Sequence, residues 1–262
     1  MGCGATKECK RNIGSHIIQI DVKSVKPIPE SEIEEFKSKH LSNAYIHEGE
    51  ESFKERMDKA AELMFKRWDW LNKNPEIYVN MLRVKGFTDE QIQDCLDGKR
   101  PLSFKTVDIH KEFCLDMKKL GKDLEKELGL KGVWFAQTGS AVPGYSSNPC
   151  KGHADVPSKI TDPDNSDIDI VVIAYGVKAF VQKMEKEKKK IKPFPCINKR
   201  EGKQTEVRYG SRHLEEVSKS LDDWAKKWTE KLKGGVQVTF QEGNPIFAPW
   251  ELPVPIELYD KN

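Results

Sequence analysis

The chain has 262 residues and a mass of 30.0 kDa, enough for one large domain or one domain with a smaller companion. Its 44 Lys and Arg against 42 Asp and Glu leave a net charge of +2, so it lacks the overall positive field of an obligate nucleic-acid binder. It has no apolar run long enough to span a bilayer, no secretory core, and six cysteines without a CxxC pair, which read as free thiols of a reducing cytoplasm.

In chain order, Met1-Gly2-Cys3-Gly4-Ala5-Thr6-Lys7 fits the N-myristoylation pattern, with Gly2 as acceptor after loss of Met1. Cys3 offers a palmitoyl site, and Lys7, Lys10 and Arg11 would meet anionic lipid, the second signal that stable anchoring needs. The expectation is a cytoplasmic protein associated with a membrane surface through its N-terminus; an ordinary Met-Gly start is the other reading. Residues 1–30 read as a tail with one β-like run, Ile17–Val22.

Residues 31–104 read as a helical accessory region. Ser31 with Glu34, Ser52 with Glu55 and Thr88 with Gln91 have capping-box spacing. Phe53, Met57, Ala61, Met64, Phe65, Trp68 and Leu71 repeat as one buried helical face. Asn74-Pro75 breaks it, and helices follow over Glu76–Val84 and Asp89–Leu96.

Residues 105–262 read as an α+β domain. Phe113, Met117, Leu120, Leu124 and Leu128 mark a helix over Asp108–Leu128 that ends at Gly129. Val133–Gln137 is a buried strand leading into Gly139-Ser140. Ala141–Asn165 is a long loop of the functional kind. Strand Ile168–Ala174 comes next, then a helix from Gly176 to about Lys192, stopped by Pro193 and Pro195. Its charged run, Lys186 to Lys190, is a solvated face able to touch a polyanion. A polar connector reaches Ser211, read as the N-cap of a helix carrying Leu214, Val217, Leu221, Trp224, Trp228 and Leu232. Val236–Phe240 alternates as a strand with Gln237, Thr239 and Gln241 outward, and the tail is rich in proline.

Asp167 and Asp169 stand at i and i+2, so a strand would aim both carboxylates at one point. Adjacent carboxylates repel unless a cation relieves them, and hard oxygen ligands suit Mg²⁺ or Mn²⁺. A Gly-Ser turn ending a neighbouring strand offers N–H groups and a hydroxyl to phosphate.

Gly139-Ser140 at a strand end, followed by Asp167-Ile168-Asp169 opening another strand, resembles the signature of the DNA polymerase beta-like nucleotidyltransferase superfamily over about residues 105–242. The resemblance implies a small mixed sheet flanked by helices. It implies that Gly139 and Ser140 hold the phosphates of a nucleoside triphosphate, and that Asp167 and Asp169 are the catalytic metal ligands. The implied reaction moves a nucleoside monophosphate to an acceptor hydroxyl on RNA, a protein or a small molecule. Two departures stand out. The 26 residues from Ala141 to Ser166 exceed the family's usual spacing. The strand expected to supply a third acid carries Gln237, leaving Glu257, with Glu242, to substitute. Arg208 and Arg212 flank a second Gly-Ser, Gly210-Ser211, and are further candidates for phosphate. Two alternatives remain open: a catalytically lapsed nucleotide- or protein-binding module, and a toxin-like effector that modifies transfer RNA or a host protein.

Overall fold

Two separate apolar cores organise the chain, one built from helices and one on a sheet. The computed structural model describes residues 20–40, 62, 66, 69–139, 142, 168–195, 207–211, 213–243 and 252–253.

The first core gathers Val22, Val25, Ile33, Tyr78, Leu82, Ile92 and Leu102 from α1 (Glu30–His40), α2 (Pro75–Val84), α3 (Asp89–Leu96) and their connections. Pro75 sits in the first turn of α2, where its missing N–H costs nothing. Arg83 on α2 staples this unit, donating to the Val25 carbonyl at 2.8 Å, to the Val22 carbonyl at 2.9 Å and to Asp89 on α3. Of the β-like run Ile17–Val22, only residues 20–22 are described, and Val22 instead opens a 3₁₀ turn closed by the Asp21 side chain. Ser31 also departs from expectation. It lies inside α1, whose first turn is closed on the Pro29 carbonyl by the Glu32 and Ile33 N–H groups. Ser52 lies outside the described residues.

Thr88 does form the expected box, its Oγ1 accepting from the Gln91 N–H at 3.2 Å while Gln91 Oε1 accepts from the Thr88 N–H at 3.0 Å. Thr88→Ala should therefore cost about 1 kcal/mol and lower Tm by about 2–4 °C in thermal unfolding. An unchanged Tm would mean that packing alone holds the start of α3.

The second core lies on a six-stranded mixed sheet of order β3-β4-β5-β2-β1-β6. The strands are β1 (Lys131–Thr138), β2 (Ile168–Tyr175), β3 (Lys192–Pro195), β4 (Val207–Gly210), β5 (Val236–Glu242) and β6 (Leu252–Pro253). Only the β2–β5 pair is parallel. Alternation along the strands sorts the two faces. Phe135, Ile168, Ile170, Val172, Ala174, Val238 and Phe240 pack against α4 (Val107–Leu128), α5 (Val177–Lys186) and α7 (Lys219–Leu232). Ala136, Val171 and Ile173, with Trp134, form a small cluster on the far face. Phe113 of α4 meets Trp228 of α7 edge to face at 4.8 Å, and the Trp228 indole N–H donates to Asp116 at 3.1 Å.

Two stretches differ from the sequence reading. The helix after Gly176 ends at Lys186, not Lys192. Lys188 takes a left-handed φ of 56°, its N–H bonds the Glu185 carbonyl, and the Lys189 N–H bonds Met184, a glycine-type helix end made by a lysine. The chain then turns Ile191 into the core and resumes as β3. The polar connector thus contains β3 and β4, and Pro193 and Pro195 are tolerated because β3 is an edge strand that needs fewer N–H donors. Ser211 does not cap the last helix. Its hydroxyl donates to the Lys190 carbonyl at 2.7 Å, a four-residue helix α6 (Leu214–Val217) intervenes, and Ser218 caps α7.

Among the described residues no helix is long and apolar enough to cross a membrane. Cys95 and Cys114 are free, and burial pushes both thiols up to about 12, which leaves them unreactive.

Candidate functional site

The sequence ending β1 and the sequence opening β2 meet on the far face of the sheet. Thr138 pairs with Asp169 across the antiparallel β1–β2 ladder, and Asp169 pairs with Gln237 across the parallel β2–β5 ladder. Partners in register share a face, so Thr138, Asp169 and Gln237 form one row, with Thr239 one row further on. Apolar neighbours behind this row, Ile168 and Ile170, are buried against the helices and hold β2 in register.

Gly139 follows β1 with φ +77°. Its Cα lies so close to Asp169 that a side chain there would stand 3.0 Å from the carboxyl carbon and closer still to Oδ2. Glycine answers two demands at this position, a left-handed turn and a backbone laid against a carboxylate. Gly139 and Asp169, separated in sequence by 29 residues, are therefore one local feature.

The other expected site residues fall as follows. Ser140, Asp167, Arg212 and Glu257 lie outside the described residues. Arg208 lies on β4, buried, and its Nε donates to Gln241 Oε1 at 3.0 Å. Its row contains Gln241 and Ile173, four residues along β2 from Asp169, or about 13 Å along the strand, and two strands over. Arg208 is thus not brought beside Asp169. Gln241, expected to point outward, is wholly buried. Glu242 is not near the row either. It lies five residues beyond Gln237 on β5, about 16 Å along the strand. There its carboxylate accepts from the Gly176 N–H at 3.0 Å and the Lys178 N–H at 2.7 Å. Those are orphan donors of the α5 N-terminus, so Glu242 serves as a helix cap and not as a third carboxylate.

A buried polar network beneath the site escaped the sequence reading. Gln137, the β1 residue facing the helices, places Nε2 2.8 Å from His110 Nε2 on α4. His110 Nδ1 lies 3.0 Å from the Lys99 carbonyl, so Nδ1 carries the proton and Nε2 accepts. Cys114 Sγ lies 3.4 Å from the same Nε2, and Gln137 Oε1 is buried with no partner among the described residues. One glutamine in an apolar strand was the only trace of this arrangement in the sequence.

Burial, assisted by the nearby Arg100 guanidinium, pulls the His110 imidazole down from 6.5 to about 4. The unfolded chain takes up this proton first. The stability from neutral His110 is therefore complete above pH 6.5 and is lost as pH falls through 6.5 towards 4. The loss should reach about 2 kcal/mol at pH 5, measured as the difference between urea unfolding at pH 7 and pH 5. His110→Gln should flatten that difference. Equal stability of the parent protein at the two pH values would refute it. Asp89, Asp97 and Glu127, held below their ordinary values mainly by hydrogen bonds from Arg83, Lys99 and Ser218, stay ionised from pH 7 to pH 5.

The donor set around Asp169 is oxygen-rich, with Thr138 and Thr239 hydroxyls and the Gln237 amide on the same face, and suits a hard divalent cation better than zinc. His213, Glu215 and Glu216 also bring their ligand atoms within 4.8 Å of one another just beyond the C-terminal end of β4. There Glu216 already accepts from the Lys190 N–H at 3.3 Å. No family model, curated protein or solved structure matches the chain.

Proposed function

We propose that the protein is a metal-dependent nucleotidyltransferase that moves a nucleoside monophosphate from a nucleoside triphosphate to an acceptor hydroxyl. The observation that carries this reading is the contact of the Gly139 backbone with the Asp169 carboxylate on the sheet face opposite the one packed by α4, α5 and α7. A phosphate held by backbone N–H groups after β1 would lie against the carboxylate opening β2. Asp169, with Asp167, would hold Mg²⁺ or Mn²⁺, which when bound neutralises phosphate charge and orients the attacking hydroxyl. Gly139 and Ser140 would position the triphosphate, and the rigid β1–β2 ladder keeps the two groups in register.

Gln237 supports a second reading. It occupies the β5 position beside Asp169, where a carboxylate would complete the ligand set. An amide oxygen is a weak ligand and no base, so the fold would then bind nucleotide without turning it over.

Calorimetric titration with each nucleoside triphosphate in the presence of Mg²⁺, paired with a pyrophosphate-release assay, separates these readings. Binding with release is expected. Binding without release transfers the conclusion to the nucleotide-binding module. Absence of Mg²⁺-dependent binding for every nucleotide overturns both.

A further inference from the structure

The segment from Lys183 to Lys192 holds six lysines against Glu185 and Glu187, a net +4 in a chain whose total is +2. The rest of the protein is therefore net negative, and this is the local patch that the whole-chain charge does not supply. The lysines of α7 behave differently. On α7, Lys219 pairs with Asp223, Lys226 with Asp222, Lys227 with Asp116 and Lys231 with Glu112. In the 183–192 segment only Lys189 has an ion-pair partner among the described residues, Glu187 at 3.1 Å. Lys183, Lys186, Lys188, Lys190 and Lys192 are exposed and have no ion-pair partner among the described residues.

The topology sets where this charge lies. β3 runs parallel to β5 and β2, so the residues before Lys192 lie towards the Asp169 end of the sheet. Lys192 pairs with Gly210, which pairs with Thr239, which pairs with Val171. Lys192 thus shares the far face with Asp169, while Ile191 points into the core between the sheet and its helices. Three strand spacings, about 14 Å, separate β3 from β2. The turn is held in place: the Ser211 hydroxyl donates to the Lys190 carbonyl and the Lys190 N–H to Glu216. Lys188 occupies the left-handed position at which glycine is less strained.

From this geometry we propose that Lys186, Lys188, Lys190 and Lys192 bind the phosphodiester backbone of a single-stranded nucleic acid whose end lies at Asp169. The proposal rests on the nucleotidyl-transfer reading and names its acceptor. Exposed point charges spaced along the end of α5, the turn after it and the start of β3 suit the repeated phosphates of a strand. A membrane fits less well. Val177, Phe180, Val181 and Met184, the apolar side of α5, are buried in the core, and the large exposed hydrophobics among the described residues, Val84, Leu115 and Tyr175, lie outside the segment.

The test is fluorescence anisotropy with a labelled single-stranded RNA of about twelve nucleotides, on the full chain without nucleotide or metal. The Lys186, Lys188, Lys190 and Lys192→Ser variant should weaken binding at least about tenfold and reduce the slope of log K against log salt by about 3. A control variant with Lys219, Lys226, Lys227 and Lys231→Ser makes the same change in net charge and should bind nearly as the parent does. Lys188→Gly should weaken binding while leaving Tm unchanged or raised. Equal losses in the two quadruple variants, parent-like binding by Lys188→Gly, or binding of anionic phospholipid vesicles with none of RNA overturns the proposal. Asp169→Ala should retain RNA binding. RNA held by the lysines in a protein that binds no triphosphate would remove the transfer reading alone. Pyrophosphate release without RNA binding would remove the surface alone.

Discussion

Replacing Gly139 with alanine is expected to abolish Mg²⁺-dependent nucleotide binding and to cost about 2–4 kcal/mol of stability. Two causes combine. The φ of +77° lies in the left-handed region, which costs an L-residue about 1–2 kcal/mol. The new Cβ would also stand 3.0 Å from the Asp169 carboxyl carbon and 3.3 Å from its Cβ, and such crowding typically costs 1–3 kcal/mol. Asp169 sits on a strand paired on both sides, so the carboxylate, not the backbone, must move. A displaced carboxylate no longer faces the turn that would hold phosphate.

The protein contains its own control. Gly129 ends α4 with φ +70° and has no atom within 4 Å of the position a Cβ would take. Gly129→Ala should therefore cost only the backbone strain, about 1 kcal/mol, and leave nucleotide binding intact. In an Asp169→Ala background the cost of Gly139→Ala should fall towards that of Gly129→Ala, since the crowding carboxyl is gone and only the Cβ contact at 3.3 Å remains. Urea unfolding of the four combinations measures the coupling. Equal costs of Gly139→Ala in both backgrounds would sink the idea that turn and carboxylate form one unit.

The juxtaposition of Gly139 and Asp169 could be anticipated because the one follows and the other opens a long apolar strand whose residues alternate into one core. The same is true of α4, where Phe113, Met117, Leu120 and Leu124 repeat at helical spacing and are all buried. What failed were elements whose identity depends on neighbours distant in sequence. β3 carries two prolines and β4 only four residues, so neither has a pattern of its own; β4 is a strand because β5 offers it an edge, and β3 because β4 does in turn. Arg208 reads as a candidate for phosphate until β4 is known, and only then does pairing opposite Gln241 explain its burial. Lys186 to Lys190 favours helix by propensity, but Ile191 is drawn into the core and the helix ends before it. Glu242 looked like a spare carboxylate because nothing local shows that the start of α5 lies beside the end of β5.

The second large effect is expected at Arg100, which joins the two cores. Its Nε donates to Asp94 on α3 at 3.0 Å, and its Nη1 donates to the Phe104 carbonyl at 2.8 Å and to the Lys105 carbonyl. The first core ends at Leu102 and the second begins at Phe104, so one buried guanidinium spans the junction. Arg100→Met keeps most of the volume but leaves a buried carboxylate and a buried carbonyl without their donor, a loss of about 3–5 kcal/mol. Lys99 Nζ, 3.5 Å from Asp94 on a half-exposed side chain, cannot replace it, because a flexible surface lysine contributes well under 1 kcal/mol. Adding Asp94→Leu removes the stranded charge but not the stranded carbonyls. The double variant should therefore recover about half of the loss, where an isolated buried pair would recover nearly all of it. Denaturant unfolding of the single and double variants gives both numbers. Because Arg100 is the most deeply buried of the charged ties between the cores, Arg100→Met should also split one transition into two, the helical core melting first. A single transition with a cost below about 1 kcal/mol would show that the cores are held together elsewhere, through the Leu102 and Cys95 bonds to the Val142 carbonyl just beyond Gly139. In that case the helical region would act directly on the turn at the candidate site.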